Sequence, residues 1–221
     1  MATVKEKDFV EIDYTARTKE ENSIFDTTQE EVAKKEGVHD SHSHYHPAVI
    51  CLGESMMLKA VEGHLVGKET GKEYSIEIKP EDAFGRKNAK LLQMIPLSKF
   101  RQQKIQPVPG LQLNIDGMFG IVKTVSGGRC YVDFNHPLAG KDLVYAVKIN
   151  KIVEDDREKL KSLLDLHFHM HDAQIELKEG AATVKTKQNV PKEALEEMKS
   201  IAKRTIPNIK DIEFSIENPK Q

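Results

Sequence analysis

Four histidines in the segment 39–46 form a group whose residue type can bind a transition metal: His39, His42, His44 and His46. Imidazole nitrogens suit zinc, nickel and copper, so a metal site in this segment is one interpretation. No cysteine lies nearby and the flanking residues show no regular apolar pattern, which favours a solvated, histidine-rich loop instead. Both interpretations stay open, and the four histidines are a candidate metal site.

Three further histidines, His167, His169 and His171, alternate along the chain. In a strand they would share one face, as an interface or a second metal site. The two cysteines, Cys51 and Cys130, are far apart and in no metal-binding spacing, so we expect two reduced, buried thiols.

The composition limits the classes of protein to consider. The 221 residues can hold two or three small domains, and 38% hydrophobic residues suffice for packed cores. A net charge of −2 without a basic stripe argues against binding to nucleic acid. Charged residues at positions 5–8 interrupt any signal-peptide pattern, and no long apolar segment predicts a membrane span. We therefore expect a cytoplasmic protein.

Alternating apolar and polar residues predict strands over 9–16, 48–52, 72–79 and 143–153. Between the second and third of these, Met57, Leu58, Val61 and Leu65 fall on one face of a predicted helix. This helix would begin after Ser55, as its N-cap, and end near Gly67. Residues 29–46 are charged and without apolar periodicity, which indicates a mobile loop.

The segment from about 87 to 130 differs in composition and pattern from the residues before it. Alternation up to Asp116-Gly117, a dipeptide typical of tight hairpins, predicts a small all-β insert. The final third predicts strands over 173–177, 182–186 and 212–216 and a helix over 191–204, together a small α+β domain.

Several motifs resemble the FKBP family in content and in order. They are Tyr14 after an alternating strand, Phe25-Asp26-Thr27, Leu52-Gly53-Glu54 before a Met-rich helix, and the segments 78–85 (IKPEDAFG) and 133–141 (DFNHPLAGK). The last of these is similar to the signature of the SlyD-like branch, in which an insert-in-flap domain interrupts the isomerase.

The resemblance implies an α+β fold with a bent antiparallel sheet that wraps one helix. It implies an isomerase domain over 1–86 and 133–154 and a chaperone insert over 87–132. Residues 157–221 would form a C-terminal α+β domain similar to the tail of the long archaeal FKBP type, which is associated with dimerisation. A strand over 212–216 would suit a two-fold interface.

The activity implied is peptidyl-prolyl cis/trans isomerisation in an apolar slot, without a required cofactor. By position, the residues implied to line the slot are Tyr14, Phe25, Asp26, Met57, Leu58, Val61, Phe84, Leu138 and Tyr145. Ala48 stands where many relatives have a larger apolar wall. Phe84 replaces a common tyrosine and Val61 replaces a tryptophan, so we expect catalysis to survive and macrolide affinity to fall. On pattern alone, the same positions are ordinary core residues, and Asp26 is a turn or cap residue.

The insert is implied to bind unfolded chains, through Leu91, Met94, Ile95, Met118 and Phe119. Flexible Met side chains suit promiscuous binding. The alternative is that these residues fill a small core. The predicted partners are therefore unfolded or proline-containing polypeptides and a second copy of the chain. Two other functions stay open: a holdase with little catalysis, and a metal-binding protein that uses the 39–46 loop.

Overall fold

The structure is a computed structural model that describes residues 2–41, 44–188 and 190–216, and the side chains of all of these except 167, 168 and 216. Two compact units make up the chain, one of residues Met1–Ile78 and Leu143–Gln221, the other of Lys79–Asp142. The second unit therefore contains residues 79–86 and 133–142 in addition to the predicted insert.

Short strands and short helices make up both units. The strands are β1 Phe9–Thr18, β2 Ile24–Thr27, β3 Ala48–Cys51, β4 Glu73–Ile78, β5 Leu92–Pro96, β6 Gln112–Ile115, β7 Met118–Ser126, β8 Arg129–Asp133, β9 Leu143–Ile152, β10 Gln174–Lys178, β11 Ala181–Thr186 and β12 Asp211–Ile216. The helices are α1 Glu30–Lys35, α2 Lys59–Leu65, α3 Leu97–Gln102, α4 Asp156–Phe168 and α5 Lys192–Thr205.

An antiparallel sheet in the order β2-β1-β9-β4 organises the first unit, and β3 also pairs with β1. The alternation along these strands places Ile12 and Ile149, both fully buried, opposite each other on β1 and β9. Helix α2 lies against β4 and buries Val61 and Leu65 completely. The predicted α+β architecture is confirmed.

Two local predictions in this unit are wrong. Helix α2 begins at Lys59 instead of after Ser55, because Ser55 has a positive φ of 60°, which is not the extended backbone of an N-cap residue. The segment predicted as a loop contains α1, which buries Ala33. Acidic residues in its first turn and basic residues in its last turn complement the helix dipole.

A four-stranded antiparallel sheet in the order β5-β8-β7-β6 forms the second unit. The predicted hairpin is confirmed: Asp116 and Gly117 both have positive φ, and Ile115 pairs with Met118 across the turn. The prediction of an all-β insert is wrong, because α3 packs the buried Phe100 into the core of this unit. A side chain at position 120 would clash with Val132 at 2.7 Å, so a glycine is required there.

The C-terminal elements form a three-stranded sheet, in which β11 pairs antiparallel with β10 and parallel with β12. Helix α4 buries Leu160, Leu163 and Leu164 in a core that also contains Phe9 and Cys51 from the sheet of the same unit. The segment that contains the alternating histidines is not a strand, because α4 runs to Phe168 and His169 has a positive φ of 51°. Within the described ranges, no helix is long and apolar enough to cross a membrane.

Candidate active site

Three strands of the first unit bring four of the predicted slot residues together. Asp26 on β2 pairs with Ala16 on β1, and Ala16 pairs on its other side with Tyr145 on β9. Tyr14 lies two positions from Ala16 and therefore on the same face of β1. The hydroxyl of Tyr14 donates a hydrogen bond of 2.8 Å to Oδ2 of Asp26.

Aromatic rings surround this hydrogen bond. The ring centroid of Tyr145 lies 6.2 Å from that of Tyr14 and 6.0 Å from that of Phe25, which meets it edge-on. Such tilted and edge-to-face contacts are favourable arrangements of aromatic side chains. The group therefore offers apolar ring surfaces beside one carboxylate, and we call Tyr14, Phe25, Asp26 and Tyr145 the aromatic–aspartate group.

Burial and the negative charge of Asp26 act in the same direction on both phenols. Desolvation by burial, and then Asp26, raise the pKa of Tyr14 well above its ordinary value. The same two causes, in the same order, raise the pKa of Tyr145 to about 12. Both hydroxyls are therefore protonated near neutral pH and available as hydrogen-bond donors.

The raised pKa of Tyr145 predicts a loss of stability in alkali. Unfolded chains release the phenolic proton near pH 10 and the folded chain near pH 12, so the unfolding free energy falls as pH rises between these values. Below pH 10 this contribution is complete. We expect the unfolding free energy of Tyr145→Phe to fall less steeply between pH 10 and pH 12 than that of the wild type. Urea unfolding measures this free energy, and a tyrosinate absorbance titration follows the phenols. Equal slopes in the two proteins between pH 10 and pH 12 would contradict the assignment.

The predicted helix residues lie on and before α2. Val61 is fully buried, while Met57 and Leu58 are partly buried in the segment that leads into the helix. Sequence reasoning missed Glu62, whose side chain is 2% exposed overall and accepts three backbone hydrogen bonds. These come from Gly53 at 2.9 Å, Ser55 at 3.2 Å and Met57 at 2.7 Å.

The sequence pattern along α2 could have predicted that Glu62 lies on the buried face of the helix. Leu58, Val61, Glu62 and Leu65 follow the i, i+3, i+4, i+7 pattern of one helix face. An acidic residue on an otherwise apolar face needs hydrogen-bond partners when it is buried. The carboxylate of Glu62 finds them in the backbone that precedes α2 and so fixes the position of Met57.

A cavity of about 790 Å³ opens beside the aromatic–aspartate group. Tyr14, Phe25 and Asp26 line it together with Ala48 and Val49 of β3. Its wall also includes residues that sequence reasoning had not connected with the site. They are Glu11, Thr27, Thr28, Val38, Asp40, residues 44–47 and residues between 158 and 171. Val61, Met57, Leu58 and Tyr145 are not among its lining residues.

Phe84 and Leu138 belong to the second unit. The ring of Phe84 stacks on that of His136 with 4.3 Å between centroids and 3° between planes. The backbone N–H of Leu138 donates a hydrogen bond of 3.2 Å to Nδ1 of His136. The two residues are thus joined through one histidine, and their assignment to the slot stays a prediction.

The residues predicted to bind unfolded chains divide into two classes. Met94, Met118 and Phe119 are 49%, 43% and 47% exposed, whereas Leu91 is partly buried and Ile95 packs against the core of the unit. Leu92 and Tyr131 were missed and are 48% and 37% exposed. The exposure of Leu92 could have been predicted, because it lies two residues before Met94 and therefore on the same face of β5.

The register of the sheet places Leu92, Met94, Phe119 and Tyr131 on one surface, whereas Met118 alternates onto the opposite face. Met94 pairs with Tyr131, which pairs with Thr124, so these residues share a face. Phe119 and Ile121 of β7 alternate onto that face as well, since Ile121 and Leu92 both pair with Asp133. We call Leu92, Met94, Phe119 and Tyr131 the exposed apolar face of the insert.

The histidines of the candidate metal site do not converge in the part of the chain that the structure describes. Nε2 of His39 lies 3.3 Å from Oε1 of Glu30, and Nδ1 of His46 lies 2.9 Å from the carbonyl oxygen of Pro47. His44 lies instead beside His171, with 5.2 Å between ring centroids. Among the described residues no group of three or more His, Cys, Asp or Glu side chains is arranged to hold a metal ion. His42 and the side chain of His167 lie outside the described part.

Both cysteines are buried and free, as expected. Burial is the largest cause that raises the pKa of Cys51, to about 12, so its thiol is protonated and a poor nucleophile near neutral pH.

Comparison with known proteins identifies two family models that match the sequence. The model of FKBP-type peptidyl-prolyl cis-trans isomerases matches residues 1–100. The model described as FKBP26, IF domain matches residues 93–138, which lie within the second unit.

Several peptidyl-prolyl cis-trans isomerases are similar in sequence to about half of this chain or more. A short-type peptidyl-prolyl cis-trans isomerase of Methanocaldococcus jannaschii is 28% identical over 155 residues, which are 70% of this chain and 98% of that protein. A probable FKBP-type 16 kDa peptidyl-prolyl cis-trans isomerase of Pseudomonas fluorescens is 34% identical over 47% of this chain and 71% of its own length. The isomerase SlyD of Pasteurella multocida is 28% identical over 54% of this chain and 59% of its own length. With a third to a quarter of the residues shared over most of the M. jannaschii and P. fluorescens proteins, the chain belongs to the FKBP-type peptidyl-prolyl cis-trans isomerase family and is an enzyme of that type.

Proposed function

We propose that the aromatic–aspartate group forms the wall of the slot in which the X–Pro bond rotates. The single observation that carries this proposal is the hydrogen bond between Tyr14 and Asp26 beside the rings of Phe25 and Tyr145, at the edge of an open cavity. Ring surfaces hold the proline, and the carboxylate of Asp26 provides the charged element within the aromatic–aspartate group.

The chemistry needs neither a nucleophile nor a cofactor. Amide resonance accounts for a rotational barrier of about 18–20 kcal/mol, and this resonance is lost in the twisted amide. A twisted amide is less polar than the planar one, so an apolar pocket stabilises it relative to water. An interaction that is stronger in the transition state than in the ground state lowers the barrier by differential binding.

Asp26 can act in two ways within this slot. Its carboxylate either interacts directly with the twisted carbonyl group or fixes the orientation of the Tyr14 hydroxyl. Oδ2 already accepts the hydrogen bond from Tyr14, which favours the second role. The hydroxyl of Tyr14 is then held in position before substrate binds.

We propose in addition that the exposed apolar face of the insert holds unfolded chains. Its four large side chains lie on one side of the β5-β8-β7 sheet and are each at least 37% exposed. Several large apolar side chains exposed on one face of a sheet are typical of interaction sites. The insert would raise the local concentration of a proline-containing chain near the isomerase, as a second binding module does.

Replacement of the exposed apolar face by polar side chains tests both proposals together. We expect the triple variant Leu92→Gln, Met94→Gln and Phe119→Gln to slow catalysis of proline-limited protein refolding by about tenfold or more. Isomerisation of a short Xaa-Phe-Pro peptide should fall far less, because a short peptide needs only the slot. The measurement is the ratio of the two catalytic efficiencies, with Lys99→Gln, at an exposed position on α3 of the same unit, as the control.

Two outcomes would contradict these proposals in different ways. An equal fall in both efficiencies would show that the variant damages the slot or the fold, and the insert would not be a separate binding module. A wild-type protein that suppresses aggregation without accelerating the short peptide would favour a holdase with little catalysis.

A further inference from the structure

Positive charge is concentrated in the insert. Residues 87–132 include seven Lys or Arg and one acidic residue, Asp116, although the whole chain has a formal net charge of −2. The rest of the chain therefore carries the negative excess. A segment with such an excess of one sign attracts partners of the opposite charge.

A cavity of about 640 Å³ lies beside the exposed apolar face of the insert. Leu92 and Tyr131 of that face line it, together with Lys87 and Lys123. The other lining residues are Asn88, Ala89, Thr124, Asp133 and Asn135. All of them belong to the second unit, so the cavity joins apolar side chains and two lysines within one compact body.

An irregularity in β7 brings Lys123 to this cavity. Val122 pairs with Val132 and Thr124 pairs with Tyr131, so Lys123 is an extra residue between two paired positions. Neighbouring residues of a regular strand point to opposite faces, whereas a bulge redirects a side chain. Lys123 and Thr124 consequently line the same cavity.

Hydrogen bonds to Asn135 hold the segment that carries Lys87. The backbone N–H of Asn88 donates to Oδ1 of Asn135 at 2.8 Å, and Nδ2 of Asn135 donates to the carbonyl oxygen of Asn88 at 3.1 Å. The stem of Lys87 packs beside Gly140, where an added Cβ would lie 3.1 Å from its Cγ. The backbone at Lys87 is therefore fixed against the segment 135–140.

Asp133 is the carboxylate among the described lining residues, and it is used internally. The residue is 9% exposed, and its Oδ1 accepts hydrogen bonds from the backbone N–H and from Nδ2 of Asn135, at 3.0 Å and 2.7 Å. Burial raises its pKa, but the hydrogen bonds from Asn135 and then the charges of Lys87 and Lys123 lower the pKa overall. Asp133 is thus ionised near neutral pH and offsets one of the two lysines.

One positive charge remains at the cavity after this balance. No histidine is among the described residues that line it. The close ion pairs printed by the neighbouring segments join Lys79 to Asp142 and Arg86 to Glu81, and no close ion pair among the described residues includes Lys87 or Lys123. Arg129, two residues before Tyr131 on β8, adds positive charge on the same face.

We propose that the insert selects unfolded segments in which an acidic side chain neighbours apolar ones. The apolar side chains bind on Leu92, Met94 and the rings beside them, and the acidic side chain lies between Lys87 and Lys123. This inference rests on the proposed holding function and names the chemistry of the chain that is held. A basic segment of equal apolarity is disfavoured, because like charges meet at the cavity.

The exposed aliphatic side chains favour a peptide over a nucleic acid as the anionic partner. Nucleic acids bind through phosphates and through bases stacked on aromatic rings. Leu92 and Met94 are 48% and 49% exposed and offer aliphatic surface, which suits the side chains of an unfolded protein.

Three unfolded peptides without proline separate this preference from catalysis. They share one core of leucine and phenylalanine and differ only in the flanking residues, which are Asp, Gln or Lys. Their binding to the whole chain is measured by fluorescence anisotropy. We expect the Asp peptide to bind about tenfold more tightly than the Lys peptide at low salt, and high salt to reduce this ratio, because it screens exposed charges.

Two double variants of equal charge locate the selectivity. Lys87→Gln with Lys123→Gln should lower the Asp/Lys ratio to about twofold, since both cationic side chains of the cavity are removed. Lys99→Gln with Lys104→Gln, at exposed positions in and just after α3, is the matched control and should leave the ratio near tenfold. A ratio that stays near tenfold in the first variant would overturn the assignment to this cavity.

The remaining outcomes separate the acidic preference from the proposed holding function. Equal binding of all three peptides, lost in the triple variant Leu92→Gln, Met94→Gln and Phe119→Gln, would overturn the preference and leave the holding function intact. Absence of binding for all three peptides would overturn both. A single-stranded oligonucleotide that binds more tightly than the Asp peptide, through the same two lysines, would overturn the peptide in favour of a nucleic acid.

Discussion

Alanine at both Phe25 and Asp26 is expected to lower kcat/KM for a short Xaa-Phe-Pro peptide by about 100-fold, or about 3 kcal/mol of transition-state stabilisation. The variant removes the ring that meets Tyr145 edge-on and the carboxylate that accepts from Tyr14. It leaves the partly buried Tyr14 hydroxyl without its partner, and the proline without one ring of the slot.

The measurement is the cis-to-trans rate at substrate concentrations below KM, with circular dichroism to verify the fold. Tyr14→Phe distinguishes the two roles of Asp26. A loss as large as that of Asp26→Ala alone would show that the carboxylate acts by positioning Tyr14, and a smaller loss would show direct action on the substrate. A double variant that retains most of the wild-type efficiency would place catalysis elsewhere.

Replacement of Glu62 by alanine is expected to lower the unfolding free energy by about 4 kcal/mol. Its carboxylate accepts from the backbone of Gly53, Ser55 and Met57 in an environment that is 2% exposed. Removal leaves three backbone N–H groups without an acceptor and a cavity beside α2. Because Met57 is then no longer fixed, isomerase activity should fall as well.

Urea unfolding measures this cost, and the conservative Glu62→Gln gives an intermediate value. An amide has the shape of the carboxylate but one acceptor oxygen, so about half of the loss is expected. Glu197→Ala, on the exposed face of α5, should change the unfolding free energy by less than about 0.5 kcal/mol. A loss below about 1 kcal/mol in Glu62→Ala would show that solvent replaces the carboxylate.

Elements with a strong local period were predictable from the sequence. The alternation along 9–16 and 143–153 corresponds to β1 and β9, which pair with each other at the centre of their sheet. The Asp116-Gly117 turn is also local, since its two central residues both adopt positive φ, which Asp and Gly tolerate. Such signals need no information from distant parts of the chain.

Short helices were not predictable in the same way. α1 and α3 have 6 residues each, a length at which an isolated helix is marginal in water. They exist because Ala33 and Phe100 are buried against other elements of their units. The start of α2 was likewise set by tertiary contacts, through the hydrogen bonds that Glu62 accepts from residues 53–57.

The order of the motifs was enough to predict the family, and side-chain alternation was enough to predict most of the strands. The resemblance also placed Tyr14, Phe25, Asp26 and Tyr145 among nine candidate slot residues, and these four are in contact across up to 131 positions of sequence, as between Tyr14 and Tyr145. Three features depend on tertiary packing. Glu62 fixes the segment before α2, Leu92 and Met94 are exposed while Ile95 packs against the core, and α4 lines the cavity beside Asp26. The physical reason is that burial and contact between distant segments depend on how the sheets and helices pack, which no local period encodes.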